Sequence, residues 1–387
     1  MDFELSEEQR LLVDSARAFA AAELAPHAAD WDRDHHFPVD VIKRAAEQGF
    51  LSLYISEEDG GLGLSRLTSS LIFEQLSAGC VATAAFMTIH NMASNMLACF
   101  GDETLKSQWL PRLISGELLA SYCLTEPDAG SDAARLRTRA RRDGDDYVLD
   151  GSKCFISGAG SSDVLIVMAR TGEDGAKGIS CFLVPGNTEG IKYGRNELKM
   201  GWRSQPTRTI TFEGVRIPAG NRIGPEGQGF VYAMKGLDGG RLNIASCSLG
   251  AAQAALEQSL RYVEERKQFG KALAEFQALQ FKLADMFTDL TASRQMVRLA
   301  ASKLDQQHAE ATLYCAMAKR FATDHCFDLC NQALQLHGGY GYLNDYPLER
   351  WVRDSRVHQI LEGTNEIMRV ITARRLLEQG GMLDNLL

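Results

Sequence analysis

The sequence predicts an α+β multidomain fold: an N-terminal α-helical domain (1–120), a middle antiparallel β-barrel or sandwich domain (121–235) and a C-terminal four-helix bundle (236–387). Two changes of texture predict it. Apolar residues recur at helical spacing up to about residue 120 and again beyond about 235, whereas between those limits they come in short runs bounded by turn formers. The third observation is size, since 387 residues suffice for two or three domains with a large buried core.

Ser6-Glu7-Glu8-Gln9 is a capping box, so a helix starts there and runs through Leu12, Ala16 and Phe19 until Pro26 stops it. Helical text follows over 41–48, 67–76 and 84–100, the last rich in small residues suited to close packing. The glycine-rich loop Glu58-Asp59-Gly60-Gly61-Leu62-Gly63 is a poor dinucleotide fingerprint, because it lacks the full glycine spacing and follows no convincing strand. In the middle, strands are expected at Tyr147-Val148-Leu149 before Asp150-Gly151, over 164–168, over 179–184 before Pro185-Gly186, and at Thr209-Ile210-Thr211-Phe212 before Glu213-Gly214. With no helices between them they suggest an antiparallel barrel or sandwich. Then Leu249, Ala252, Leu256, Leu260 and Val263 draw a helical stripe, and further stripes run over 283–299, 317–334 ending at Gly338-Gly339, and 367–379 ending at Gly380-Gly381. Four long helices joined by short loops make an antiparallel bundle.

A formal charge of -9 argues against nucleic acid as the main partner. The arginines at 135, 137, 139, 141 and 142 read first as a solvated strand edge and second as a site attracting a phosphorylated ligand. Nine scattered cysteines without a Cys-x-x-Cys pair suit buried free thiols in a reducing compartment, neither a disulfide framework nor a zinc site. No apolar run approaches the ~18 residues of a membrane span. Met1-Asp2-Phe3-Glu4 has no basic n-region, and the expected location is cytoplasmic, with a processed mitochondrial matrix protein as the alternative.

Three stretches carry candidate chemistry. In Ile360-Leu361-Glu362-Gly363-Thr364-Asn365-Glu366-Ile367-Met368-Arg369, Glu362 sits on a turn before a helix that Thr364 or Asn365 can cap, placed to project into a pocket; a plain surface glutamate is the alternative. Tyr122-Cys123-Leu124-Thr125-Glu126-Pro127-Asp128-Ala129-Gly130-Ser131-Asp132 is dense in hydroxyls and turn formers, as suits a loop against a flat polar ring system or an elaborate turn. Lys153-Cys154-Phe155-Ile156-Ser157-Gly158-Ala159-Gly160 offers an aromatic face and a hydroxyl two residues apart, on one side of a strand, although Phe155 alone reads as core.

With Arg266-Lys267-Gln268-Phe269-Gly270 and Gln335-Leu336-His337-Gly338-Gly339, these stretches resemble the acyl-CoA dehydrogenase family over essentially the whole chain. Gly201-Trp202-Arg203-Ser204-Gln205-Pro206-Thr207-Arg208, Gly240-Arg241-Leu242-Asn243-Ile244-Ala245-Ser246-Cys247-Ser248-Leu249-Gly250 and Arg353-Asp354-Ser355-Arg356-Val357-His358-Gln359 look like the branch that acts on isobutyryl-CoA, with Thr364 where serine is expected. The resemblance implies FAD as cofactor and conversion of an acyl-CoA thioester to the 2-enoyl-CoA, with Glu362 removing the α-proton. Some branches place the base just before the arginine matching Arg241; here that residue is Gly240, which disfavours the long-chain and isovaleryl-type arrangement.

By the same resemblance Tyr122, Leu124, Thr125, Gly130, Ser131, Phe155, Ile156 and Ser157 border the flavin, with Thr125 and Ser157 bonding the ring and Phe155 packed on it. Arg266, Phe269, Phe276, Gln277, Gln335, Leu336, His337, Gly338 and Gly339 of a neighbouring subunit hold the adenine and pyrophosphate end, with His337 a packing or capping residue and no catalyst. Thr364, Asn365 and Glu366 match further flavin contacts. Ser131, Asp238, Gly239, Gly240, Arg241 and Arg374 match substrate contacts, with a structural ion pair as the competing reading for Arg241 and Arg374. The implied partners are an electron-transferring flavoprotein and further copies of the chain in a homotetramer, a dimer of dimers. Runner-up readings are a short-chain or 2-methylbutyryl-CoA dehydrogenase, an acyl-CoA oxidase, a flavin-binding scaffold without chemistry, and a plain helical interaction protein.

Overall fold

The structure, a computed structural model, describes residues 4–378. Six helices come first: α1 (Glu7–Phe19), α2 (Ala28–Asp34), α3 (Val39–Glu47), α4 (Arg66–Gly79), α5 (Val81–Phe100) and α6 (Glu103–Ile114). Their starts follow local chemistry. Ser6 and Gln9 exchange both bonds of the capping box at 3.1 Å, Ser65 caps α4 and Asp102 caps α6. Beyond Phe19 the first helix widens into a π turn (Ala20–Leu24) before Pro26.

The middle of the chain forms β1 (Ala120–Cys123), β2 (Arg139–Asp143), β3 (Asp146–Ser157), β4 (Val164–Arg170), β5 (Ile179–Pro185), β6 (Ile191–Tyr193), β7 (Thr207–Pro218) and β8 (Arg222–Ile223) in one eight-stranded sheet. The order is β6-β7-β3-β2-β4-β5-β8, with β1 paired to β4. Pairing is antiparallel except at β4, where β1 and the first residue of β2 run parallel to it. Every residue of β4 is buried, which is why its sequence reads as an unbroken apolar run. The arginine series does not share one strand. Arg135 ends a 3₁₀ turn, Arg137 precedes β2, and only Arg139, Arg141 and Arg142 lie in the strand, facing outward.

The rest is helical: α7 (Gly229–Glu265), a small hairpin of β9 (Lys267–Gln268) and β10 (Lys271–Ala272), α8 (Gln277–Asp305), α9 (Ala311–His337), α10 (Leu348–Arg356) and α11 (Asn365–Glu378). The bundle therefore has three long helices and a shorter fourth, α11, reached through α10. The expected stop at Gln379, Gly380 and Gly381 lies outside the described residues. One hydrophobic core runs from Ala16 and Leu24 through Phe73 and Phe86 to Leu249, Leu290 and Leu329, so the helices before and after the sheet pack as one body.

The three segments that carry the branch likeness meet in a single buried network. Trp202 donates its backbone N–H to Asp354 at 2.6 Å and its indole N–H to His358 Nε2 at 3.3 Å, and His358 Nδ1 lies 2.7 Å from Ser248 Oγ on α7. Burial pushes His358 down to about 3, so the ring is neutral and ties the sheet to the bundle by ordinary hydrogen bonds. Eight of the nine cysteines are buried and none is in a disulfide, while Cys99 is exposed, contrary to the expectation of buried thiols throughout.

Candidate active site

Glu362 stands between a 3₁₀ turn (Val357–Gln359) and α11 with φ of +56°, and Gly363 follows at +88°. Two consecutive left-handed residues reverse the chain sharply; glycine adopts that conformation freely, glutamate at a cost of roughly 1–2 kcal/mol. Partners on two helices hold the turn. Arg241 Nε on α7 donates to the Glu362 carbonyl at 3.4 Å, and Lys319 Nζ on α9 donates to the Gly363 carbonyl at 2.8 Å. Thr364 Oγ1 accepts the Ile367 N–H at 3.3 Å and caps α11.

None of these bonds uses the carboxylate. Glu362 Oε2 is buried without a hydrogen-bond partner and packs on Gly240 of α7, where an added Cβ would lie 2.5 Å from it. Burial pushes the Glu362 carboxyl up to about 7, against the pull of Arg241 and then Lys319. A half-protonated carboxyl with a free oxygen in a water-poor site is what abstraction of a proton beside a carbonyl requires. Around it, the Tyr122 hydroxyl is buried and unpartnered, raised by burial and then by the charge of Glu362. Met92 Sδ would stand 3.1 Å from the same added Cβ at Gly240, and Met96 Sδ 3.2 Å from one at Gly236.

The expected substrate contacts divide. Asp238 accepts from Arg241 at 2.6 Å and from Thr312 Oγ1 at 2.6 Å, and Arg241 is 4% exposed, so both side chains belong to a structural ion pair. Gly239 and Gly240 are buried on the same turn of α7. Arg374 is exposed and has no ion-pair partner among the described residues; it is Arg375 that pairs with Glu310. The Asn365 side chain is taken up inside the protein. Its side chain accepts from Lys319 at 2.8 Å and donates to Thr323 at 2.9 Å and Asp324 at 2.7 Å on α9, while Glu366 is exposed and 3.5 Å from Arg369.

On the sheet, the loop after β1 is built on a buried ion pair. Lys153 Nζ donates to Glu126 at 2.7 Å and to the Leu124 carbonyl at 3.0 Å, Glu126 also accepts the Arg137 and Thr138 N–H groups, and the Thr125 carbonyl accepts the Cys154 N–H. The β3–β7 register shifts between Lys153 and Ile156, so the alternation expected of Phe155 and Ser157 does not hold there. At the bulge Phe155 adopts φ of +58° and is 71% exposed, not core, while Ile156 is buried and Ser157 half-buried. Gly130 and Ser131 are exposed beyond it, with nothing within 4 Å of an added Cβ at Gly130. A bulky aromatic held exposed in a left-handed conformation has its ring face free to stack on a flat partner.

A cleft of about 470 Å³ gathers most of the second set: Arg266, Gln335, Leu336, His337, Gly338 and Gly339 line it. His337 donates Nδ1–H to the Ala333 carbonyl at 2.8 Å and stacks on Tyr262, which leaves Nε2 a buried acceptor without a partner. Phe269, 93% exposed, stands edge-on to Phe276, and Gln277 opens α8. Open space where side chains would lie at Gly338 and Gly339, an exposed guanidinium and an orphaned acceptor fit the pyrophosphate and adenosine portion of a dinucleotide. Gly240 and Glu265 are 25 residues apart in α7, about 38 Å at the helical rise, so the cleft at the C-terminal end of that helix stands far from Glu362.

Sequence reasoning passed over three groups: Lys319, the Lys153–Glu126 pair, and Arg66, whose buried and unpartnered Nη1 would lie 2.6 Å from a Cβ at Gly239. Lys319 had a legible signal. It falls four residues after Cys315 and seven before Cys326, on the apolar stripe of α9, where a lysine must be buried and partnered.

Residues 6–117, 121–215 and 227–377 match in turn the N-terminal, middle and C-terminal domains of acyl-CoA dehydrogenase. The chain is 54% identical over 375 residues to the mitochondrial isobutyryl-CoA dehydrogenase of Bos taurus, covering 97% of this chain and 90% of that one. It is similar to the solved butyryl-CoA dehydrogenase of Megasphaera elsdenii (TM-score 0.94, 37% identity, 97% and 100% of the two chains). PigA, solved with FAD and proline, superposes at a TM-score of 0.94 with 32% identity over 97% and 99% of the two chains.

Proposed function

The chain belongs to the acyl-CoA dehydrogenase family, and we propose that within it the chain dehydrogenates a short branched thioester, isobutyryl-CoA to methacrylyl-CoA in valine breakdown, with Glu362 as the base. It is an oxidoreductase and an FAD flavoprotein. The observation that carries the role of Glu362 is its buried, unpartnered Oε2 against Gly240, in a site where burial holds the carboxyl near neutrality.

FAD supplies the acceptor for the β-hydrogen and its electron pair. The chain supplies the rest. Glu362 takes the α-proton; the turn of Gly239 and Gly240, with Arg66 beside it, borders the thioester; Arg374, exposed near the end of α11, meets the CoA portion. Phe155, Thr125, Ser131 and Ser157, with Tyr122, Leu124, Gly130 and Ile156 around them, form the wall for the flavin ring, joined by Thr364 and the backbone at Asn365 and Glu366. Met92 and Met96, beside Gly240 and Gly236, would leave little room for a long acyl chain there, in keeping with a short substrate.

The cleft around Arg266 holds the other end of the cofactor of a neighbouring copy, together with Phe269, Phe276 and Gln277. The 25-residue separation of Gly240 and Glu265 along α7, about 38 Å, supports this, because it sets the cleft far from Glu362. The assembly is then a homotetramer, a dimer of dimers, that passes electrons to an electron-transferring flavoprotein. No described helix is long and apolar enough to cross a membrane, and unpaired thiols support a reducing compartment, for which we take the cytoplasm.

The test is kcat/KM for isobutyryl-, 2-methylbutyryl- and butyryl-CoA with electron-transferring flavoprotein as acceptor. 2-Methylbutyryl-CoA adds one methylene, worth about 10–200-fold in an apolar pocket, so isobutyryl-CoA should lead it by at least tenfold and should also lead its straight-chain isomer butyryl-CoA. A preference for butyryl-CoA would keep the family and remove the valine-pathway reading.

A further inference from the structure

Lys319 is fully buried on α9, among Cys315, Ala318 and Ala322, and two of its three donors are committed. Nζ donates at 2.8 Å to the Gly363 carbonyl and at 2.8 Å to Asn365 Oδ1. The Asn365 amide is in turn anchored on Thr323 and Asp324, one helical turn further along α9. Glu362 and Gly363, both left-handed, thus have their two carbonyls clamped by two buried cations, Arg241 and Lys319, and the residue after Thr364 is pinned to the same helix as the lysine.

Two cations beside a buried carboxylate would ordinarily pair with it and keep it ionised and inert. Here Arg241 is taken up by the Asp238 carboxylate and the Glu362 carbonyl, Lys319 by the Gly363 carbonyl and Asn365, and Glu362 Oε2 is left without a partner. We propose that Lys319 is a positioning residue for the base: its ammonium fixes the left-handed turn that aims Glu362 and is held off the carboxylate by Asn365. The proposal rests on the reading of Glu362 as base.

The surrounding charges support it. Lys319 faces Glu362 and Glu366 from the turn and α11, Arg241 from α7 and Asp324 from its own helix. Burial lowers its ammonium to about 7, with Glu362 the largest opposing influence. Glu362 in turn faces Arg241 and Lys319, and its charge reaches Tyr54 and Tyr122. His358, buried and neutral, also feels the lysine.

The experiment uses FAD-loaded protein and Lys319→Met, Asn365→Ala and Glu362→Gln variants. It reads the pH profile of kcat/KM for the best thioester, with KM and kcat separated, and hydrogen exchange over 357–370 without substrate. In Lys319→Met the acid limb should move up by on the order of one pH unit, because a cation that favours the carboxylate is gone. Its kcat should fall at least tenfold with KM little changed, and exchange over 357–370 should quicken. In Asn365→Ala the turn should loosen and kcat fall several-fold, and the limb should move down rather than up, since the lysine keeps its charge and is no longer held off the carboxylate. An unmoved limb and wild-type exchange in Lys319→Met overturn the proposal; should that variant not accumulate as holoenzyme, wild-type kcat and exchange in Asn365→Ala overturn it equally. Wild-type turnover in Glu362→Gln would instead remove the base reading on which both depend.

Discussion

Replacing Gly240 by alanine sets two effects against each other. An added Cβ would lie 2.5 Å from Glu362 Oε2 and 2.9 Å from Cδ, and relief to the 3.4 Å of ordinary contact requires a displacement of 3.4 − 2.5, about 0.9 Å. The carboxylate is the movable end, because the backbone of the turn is clamped by Arg241 and Lys319. A misplacement of about 1 Å at a reacting group costs on the order of 100-fold, or about 2.7 kcal/mol of barrier. Meanwhile alanine is favoured over glycine inside a helix by up to about 1 kcal/mol, and Gly240 lies well inside α7. Gly240→Ala should therefore lose roughly two orders of magnitude in the rate of anaerobic flavin bleaching while its thermal midpoint holds or rises. Stopped-flow absorbance and calorimetry on the same holoenzyme check both. A wild-type bleaching rate would refute the placement of the base; a lower midpoint with a proportionate loss of bound FAD would show disruption of the helix instead.

Three further outcomes follow from the geometry. The base must be ionised to act and burial raises Glu362 to about 7, so kcat/KM should fall about tenfold per pH unit below that point and level off above it; a limb near the usual carboxylate range would contradict the site's dryness. Lys153→Met leaves Glu126 buried with only its backbone donors, which should cost roughly 3–5 kcal/mol by chemical denaturation and release FAD, since the loop after β1 hangs on that pair. Arg374→Ala should raise KM for the CoA thioester several-fold and leave kcat within about twofold, as expected of an exposed contact to a remote part of the substrate.

What could be read from sequence was what is local. The Ser6 box, the strand runs at 164–168 and 179–184, and the turn at Gly363 each depend on neighbours a few residues away, and each stands where it was expected. The strands β1, β6 and β8 are two to four residues long and owe their conformation to partners across the sheet, so nothing local announces them, whereas the alternating arginines did point to β2. Helix α6 carries Pro111 within it, which reads as a break although Asp102 caps its start. The exposure of Phe155 comes from a bulge set by register with β7, so neither its apolar character, which by itself reads as core, nor strand alternation announces it. The clamp on Glu362 was invisible for a similar reason, since Arg241 and Lys319 are brought to it by the packing of α7 and α9 rather than by sequence proximity.

The most direct test of Glu362 as the base is anaerobic mixing of FAD-loaded Glu362→Gln with saturating isobutyryl-CoA, followed in the visible flavin band beside wild type. Glutamine keeps the size and the neighbours of the side chain but cannot accept the proton. Loss of positioned general-base catalysis is worth about 10²–10⁴-fold, so bleaching should slow by at least two orders of magnitude while the resting flavin spectrum and FAD content match wild type. Bleaching at the wild-type rate would mean that another group removes the α-proton.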